Sequence, residues 1–148
     1  MTTTNYEKLN CPIAKSLSVL GDQWTFLIVR DALSGTTRFN EFQDSLGISR
    51  NLLSKRMQQL CDAGLLERLP IANSKRFEYL ATDKCRELRP VVLSLAAWGT
   101  RWFNDDKLGR VDSINTETGN PVEVGFVDAG TKQQVDPSTV KSRRRPVA

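Results

Sequence analysis

The chain has 148 residues, of which 39% are hydrophobic, and this suits one domain with an appendage. It contains no histidine, which excludes Ser-His-Asp and Cys-His catalysis and removes the commonest metal ligand, and its three cysteines are too few and too scattered for a disulfide framework. The formal net charge of +4 is a modest lean toward a polyanionic partner.

No apolar run approaches the roughly 18 residues of a membrane span. The opening "MTTTNYEKLN" has no cationic patch followed by an apolar stretch, so no signal peptide is visible. We therefore expect a cytoplasmic protein with no membrane partner, whose cysteines remain thiols. Because glycine-rich phosphate loops and clustered carboxylates are also missing from the sequence, we expect no enzyme activity, no cofactor and no metal.

Three helices are predicted before residue 47. Cys11 occupies the cap position of the first, "PIAKSLSVL", in which a proline fits the first turn. Gly21 and Asp22 end that helix, and the apolar residues of "QWTFLIVRDAL" recur at helical spacing. After the turn "SGTT", the phenylalanines and leucine of "RFNEFQDSL" share one face of a short third helix, which Gly47 terminates.

The stretch "GISRNLLSKRMQQL" predicts a fourth helix with one apolar and one polar face. Ser49 is the predicted N-cap residue, and we expect the helix to end near Ala63. The apolar face consists of Leu53, Met57 and Leu60. The polar face and its edges carry hydroxyl, amide and cationic side chains: Arg50, Asn51, Ser54, Lys55 and Gln58.

A change to a shorter period predicts a β-hairpin after the fourth helix. "LLERL" and "RFEYL" are the predicted strands, and "PIANSK" is the polar turn between them. In the second strand, alternation places Phe77 and Tyr79 inward, with Arg76 and Glu78 outward. Thr82 can cap a long final helix from Asp83 to about Trp102, in which Pro90 is expected to introduce a kink.

The composition changes after residue 104. The stretch 105–140 is rich in turn residues and has one strand-like run, "VEVGFVD", and the end "KSRRRPVA" is basic. We therefore predict two parts. Residues 1–104 form a DNA-binding and dimerisation domain, and residues 105–148 form a hairpin-like extension with a disordered tail.

The order of these elements is that of a winged helix-turn-helix, a mainly α fold with a small β-hairpin wing (α+β). The polar face of the fourth helix suits the major groove of DNA, where amides pair with adenine and cations with guanine. The wing tip and the residue ahead of the third helix suit phosphates or the minor groove. The predicted DNA contacts are Arg38, Ser49, Arg50, Asn51, Ser54, Lys55, Gln58, Asn73, Ser74, Lys75 and Arg76.

Alternatives to the DNA hypothesis remain open at this point. An ordinary solvated helix face has the same composition, a charged hairpin turn is usually only solvated, and a winged-helix module can bind protein without specific DNA binding. Arg56 lies near the edge of the buried side and ranks below the other cations.

The last helix carries an apolar seam that is unusual for a lone surface helix. We expect it to pair with the same helix of a second subunit, assisted by the N-terminal helix, although the seam can instead pack on its own domain. A two-fold homodimer would present two reading helices about 34 Å apart and would require an inverted-repeat site.

Two features suggest a sensor. The helix dipole favours the thiolate form of Cys11, so this cysteine is a candidate for reaction with oxidants or electrophiles; a small capping or buried residue is the plainer interpretation. Trp24, Trp98 and Trp102 are candidates for the floor of an aromatic effector pocket, or are simply core residues. Cys61 and Cys85 are interpreted as packing residues.

An ordered set of short motifs resembles the HxlR-type winged-helix transcriptional regulators of bacteria, distant relatives of MarR. The resemblance covers about residues 11–103 and comprises "CPI", "GDQW", "RFNEF", "GIS", "LCDAGLLER", "FEYLAT" and "AAWG". It implies a homodimer on operator DNA that responds to small electrophiles, oxidants or aromatic compounds. Our leading hypothesis is a regulator that is more a repressor than an activator. In several such regulators the thiol that matches Cys11 is redox-responsive.

The extension resembles the C-terminal hairpin of a longer subgroup of that family. Some members of the subgroup carry cysteine pairs in this hairpin that suit a metal. Here "TGNPVEVGFVDAGTKQQVDP" contains neither cysteine nor histidine, so we predict no zinc.

Overall fold

The computed structural model of the protein describes residues 8–103, 107, 109, 113–143 and 145. The elements follow the predicted order in the first part of the chain. The helices are α1 (Pro12–Leu20), α2 (Gln23–Leu33), α3 (Phe39–Leu46) and α4 (Arg50–Asp62), and the strands are β1 (Leu66–Pro70) and β2 (Phe77–Ala81). This is the winged helix-turn-helix predicted from the sequence.

Local capping explains where these helices start and stop. The Oδ1 atom of Asp22 accepts hydrogen bonds from the backbone N–H groups of Trp24 and Thr25, at 3.0 and 3.2 Å, and so opens α2. Cys11 is the N-cap residue of α1 and has extended backbone geometry, as expected from the proline that follows. Gly47 closes α3 in the left-handed conformation, with a φ of 62°.

The core lies where α2, α3, α4 and β1 meet. Phe42, Ile28, Val29 and Cys85 are completely buried in it. The predicted apolar face of α4 is also buried there, and it consists of Leu53, Met57 and Leu60. Burial of this face fixes which side of α4 is left exposed.

The wing differs in detail from the prediction. Each strand begins one residue later than predicted, and the two strands pair antiparallel with Leu66 opposite Ala81 and Pro70 opposite Phe77. Phe77 was predicted to point inward, but it is 38% exposed and lies under the Arg68 guanidinium, 3.6 Å from the ring centroid. This pair lies at the turn end of the two-stranded ribbon, where the Phe77 ring packs against the guanidinium of the neighbouring strand.

The predicted kinked final helix is two helices. A single turn, α5 (Asp83–Arg86), precedes α6 (Arg89–Trp102), and Pro90 is the second residue of α6. Proline lacks an N–H and its ring clashes with the carbonyl four residues earlier, so the helix breaks before Pro90 instead of bending around it. In the first turn of α6 that missing donor costs nothing. Thr82 caps α5 as predicted, because its Oγ1 accepts from the Cys85 N–H.

The described residues divide into two compact units, the first ending at Val92 and the second beginning at Leu93, within α6. The proposed division between residues 104 and 105 stays a prediction. The second unit contains β3 (Phe126–Val127) paired antiparallel with β4 (Gln134–Val135), and a 3-10 turn, Pro137–Thr139. None of its described residues is buried.

Some sequence predictions fall outside the described residues. The predicted disorder of the basic tail falls partly on residues 144 and 146–148, and the start of the extension includes residues 105, 106, 108 and 110–112. Through the part of the chain that is described, no helix combines the length and apolar character needed to cross a membrane.

Candidate nucleic-acid interface

The turn between α3 and α4 is short and held at both ends. The N–H of Gly47 donates to the Gln43 carbonyl at 2.9 Å, and Ile48 is buried against the core. The Oγ of Ser49 then accepts a bond from the Leu52 N–H at 3.4 Å, which caps α4 as predicted. The orientation of α4 therefore follows from local bonds as well as from burial of its apolar face.

All eleven side chains predicted to contact DNA are exposed. They are Arg38, Ser49, Arg50, Asn51, Ser54, Lys55, Gln58, Asn73, Ser74, Lys75 and Arg76. On α4, Asn51 and Lys55 make no side-chain hydrogen bond or ion pair with any described residue. Their amide and ammonium groups are thus available to a ligand without the loss of an existing bond.

Two other α4 side chains are already engaged. The Nε2 of Gln58 donates to the Asp62 Oδ1 at 2.8 Å, so contact with a base requires Gln58 to give up this bond. The Arg50 guanidinium lies 5.2 Å from the centre of the Phe39 ring, at the start of α3. This cation–π contact holds Arg50 beside the N-terminus of α3.

Backbone pairing joins the wing to the start of α3. The Tyr79 N–H donates to the Thr37 carbonyl at 2.8 Å, and Arg38 forms an isolated bridge with Glu78. The Arg38 N–H also donates to the Glu41 carboxylate at 3.2 Å. The structure therefore brings Arg38 next to the wing, and this pairing also explains why Glu78 is half-buried instead of pointing outward as predicted.

The wing tip is a tight polar turn. Asn73 has a left-handed backbone, with a φ of 57°, which asparagine tolerates better than most residues. The Ser74 N–H donates to the Ile71 carbonyl at 3.1 Å, and the Ser74 Oγ accepts from the Arg76 N–H at 3.1 Å. These bonds fix the backbone of the tip and leave the side chains of Lys75 and Arg76 exposed.

Arg56 positions α4, a role that the sequence did not reveal. Its Nη2 forms an ion pair with the Asp22 Oδ2 at 2.8 Å, and its Nη1 donates to the Gln59 Oε1 at 2.9 Å. Asp22 also caps α2, so one carboxylate fixes the start of α2 and the middle of α4 together. Both side chains are mostly buried, which strengthens the pair relative to a surface ion pair.

Asp31 holds α3 against α2 and was also missed. It is buried, and its two oxygens accept from the Ser45 hydroxyl and from the Arg30 Nε, each at 2.8 Å. A carboxylate inside the apolar run "TFLIVRDAL" is the signal that could have identified it, since a buried charge requires partners.

The sensor candidates occupy different environments. Cys11 is half-buried, Trp24 packs partly buried against the core, and Trp98 and Trp102 are 53% and 67% exposed on α6. The aromatic effector pocket stays a prediction.

The other two cysteines suit packing. Burial raises the pKa of the Cys85 thiol, partly offset by Arg86 and Arg89, and burial, with a smaller contribution from Asp62, raises that of Cys61. Both thiols therefore have less thiolate at neutral pH than an ordinary cysteine.

Known proteins match the region that carries these features. A family model described as "HxlR-like helix-turn-helix" matches residues 19–107. The uncharacterized HTH-type transcriptional regulator Rv3095 of Mycobacterium tuberculosis is 35% identical over 92 residues, which are 62% of this chain and 58% of the relative. The chain thus spans less than two thirds of the length of that relative.

Two solved structures extend the comparison. PA1607, described as a proposed transcription factor, superposes with a TM-score of 0.82 at 35% identity, over 96% of this chain and 100% of PA1607. The reduced form of the transcriptional regulator YodB from B. subtilis superposes with a TM-score of 0.55 at 27% identity, over 69% and 100% of the two chains. A quinone-bound YodB also matches, with a TM-score of 0.52 at 28% identity, over 62% and 99%.

Proposed function

Because the chain belongs to the HxlR-like helix-turn-helix family, we propose that it is a transcriptional regulator that binds duplex DNA as a homodimer. In this proposal α4 enters the major groove, the wing tip follows the sugar-phosphate backbone or the minor groove, and the dimer recognises an inverted-repeat operator. Repression is the proposed sign of regulation.

The polar face of α4 is the observation that carries the proposal. Its apolar side is buried, its N-terminal turn is anchored by Ser49, and Asn51 and Lys55 project from a helix whose position is fixed by Arg56. Asparagine can bond adenine through two atoms, and lysine can bond the O6 and N7 atoms of guanine. These groups on a rigid helix suit base recognition better than groups on a loop would.

The dimer is supported by the exposure of α6. No residue of this helix is buried, yet Val91, Leu95, Trp98 and Trp102 recur at spacings of three and four. The separate apolar side chains of Ile13 and Leu17 on α1 are exposed as well. An exposed apolar helix face is unusual on a monomer, and a second copy of the chain would cover it.

A salt titration distinguishes DNA binding from the alternative, a winged-helix module that binds protein. A fluorescently labelled random duplex is titrated with the protein at several salt concentrations. Each phosphate neutralised by Lys or Arg releases counterions, so we expect affinity to fall by several orders of magnitude between about 50 and 200 mM salt. Binding that is absent, or that does not change with salt, would favour the protein-binding module.

Cys11 is the proposed sensor of the signal. YodB has been solved in a quinone-bound form, and this chain places a cysteine at the N-terminus of α1. We propose that oxidants or electrophiles such as quinones react with the Cys11 sulfur and thereby release DNA. Small aromatic ligands are the second proposed class of effector, with Trp24, Trp98 and Trp102 as candidate contacts.

Cys11→Ser is expected to abolish release of DNA by diamide or benzoquinone while leaving DNA affinity without oxidant unchanged, because serine retains the size and loses the nucleophilic sulfur. The measurement is fluorescence anisotropy of the DNA complex before and after treatment. Cys61→Ser is the matched control and should respond like the wild type. A Cys11→Ser protein that still releases DNA on oxidation would assign the sensor elsewhere.

A further inference from the structure

A cleft of about 260 Å³ opens within the first unit, away from the DNA-contact residues of α4 and the wing tip. It lies between the end of α2, the loop before α3, β2 and the residues around α5. Its apolar lining includes Ala32, Leu33 and Leu80, and its polar lining includes Thr36, Arg86 and Arg89. An apolar surface with a few polar groups is typical of a small-molecule site, and this volume is just below the usual range of about 300–1,000 Å³, so it suits a small ligand.

The two arginines in this cleft retain unused donors. The Arg89 Nη2 donates to the Leu33 carbonyl at 3.1 Å, and among the described residues no carboxylate lies within ion-pair distance of its guanidinium. Arg86 forms an ion pair with Asp83, but its side chain is 57% exposed. A guanidinium has five N–H donors, so each arginine can bind a further anion.

We propose that this cleft binds a small molecule that joins one carboxylate to an apolar ring. The planar guanidinium matches the two oxygens of a carboxylate, and the pairing is strongest when both N–H bonds form together. The ring would cover Leu33 and Leu80, while the Thr36 hydroxyl can donate to the anion. This site is distinct from the aromatic pocket proposed around Trp24.

The position of the cleft couples it to the DNA-binding elements, a step that rests on the proposed function. Thr36 and Thr37 line the cleft, and the Thr37 carbonyl accepts the Tyr79 N–H, which aligns the wing with α3. The next residue, Arg38, is the N-cap residue of α3 and a predicted phosphate contact. A ligand that shifts this segment changes DNA affinity, and by linkage DNA changes ligand affinity by the same factor.

Calorimetry without DNA tests the site itself. Benzoate is titrated into the protein, with the neutral isostere benzamide as the comparison ligand. We expect one benzoate per chain and at least about tenfold weaker binding of benzamide, since it lacks the charge that strengthens the arginine hydrogen bonds. Absence of benzoate binding, or equal binding of both ligands, would overturn the proposal and leave the DNA hypothesis untouched.

Three variants locate the site. Arg89→Gln and Arg86→Gln should each weaken benzoate binding by about tenfold, whereas Arg76→Gln, which removes one charge at the wing tip, should not. Arg89→Gln also removes the hydrogen bond to the Leu33 carbonyl, so circular dichroism checks that this variant is folded. If Arg89→Gln unfolds, Arg86→Gln still tests whether the cleft binds benzoate. Equal loss in Arg76→Gln would indicate non-specific charge binding and overturn the site.

A second measurement tests the coupling. Benzoate added to the wild-type DNA complex should change operator affinity, and the Arg86→Gln complex should respond less. If benzoate binds the protein but leaves DNA affinity unchanged, the cleft remains a ligand site and its link to the wing is wrong.

Discussion

Lys55→Ala and Asn51→Ala are each expected to weaken operator binding by roughly 5- to 150-fold and to relax base preference, while the protein stays folded. A good base contact contributes about 1–3 kcal/mol of discrimination. Both side chains are exposed and make no bond within the described part of the chain, so their removal costs the fold little. The measurement is anisotropy with an operator recovered by selection from random duplexes.

The matched control is Lys15→Ala, which removes one exposed charge on α1 and is expected to change affinity little. The same experiment distinguishes base contacts from phosphate contacts. If Lys55 contacts a phosphate, its loss should weaken all sequences equally and reduce the slope of affinity against salt by about one. Unchanged operator affinity in both α4 variants would mean that another surface reads the DNA.

Trp98→Glu is expected to convert the dimer to a monomer and to lower operator affinity by about two to four orders of magnitude. A charge in the middle of the apolar face of α6 would be buried without a partner in a dimer. Without the second reading helix, the advantage of two linked binding events is lost. Sedimentation velocity gives the oligomeric state, and anisotropy gives the affinity.

The monomer fold should survive this change, because Trp98 is 53% exposed and its contact in the described structure is the Phe103 ring, 5.4 Å away between centroids. Thr100→Glu is the matched control: it introduces the same charge on the opposite side of α6. We expect Thr100→Glu to remain dimeric and to bind DNA. A Trp98→Glu protein that is still a dimer with normal operator affinity would exclude α6 from the interface.

Two positioning pairs hold α3 and α4 against α2. Asp22–Arg56 links α4 to the N-terminus of α2, and Asp31–Ser45 links α3 to the last turn of α2. The α2 helix is therefore the common support of the helix-turn-helix.

The sequence alone determined the first four helices, with their ends, and the start of α5. Ser49, Gly47 and Thr82 mark boundaries through hydrogen bonds or backbone preferences that involve only neighbouring residues, so these positions could be identified locally. The burial of Leu53, Met57 and Leu60 also followed from helical spacing, since only one face of α4 can meet the core. The exposed amide and cationic face, and with it the DNA hypothesis, was the direct complement of that burial.

The tertiary structure alone decided how distant residues meet. Arg56 became a positioning residue because Asp22, 34 positions away, lies next to it, and no local pattern encodes that distance. Phe77 is 38% exposed because it lies at the turn end of the ribbon, away from the core, although strand alternation favoured burial. The break before Pro90 depended on whether neighbouring elements would support a kinked helix. The cleft with Arg86 and Arg89 forms where α2, β2 and α5 converge. Hydrogen bonds between neighbouring residues determine where helices begin and end, whereas packing between helices and strands determines which distant residues meet.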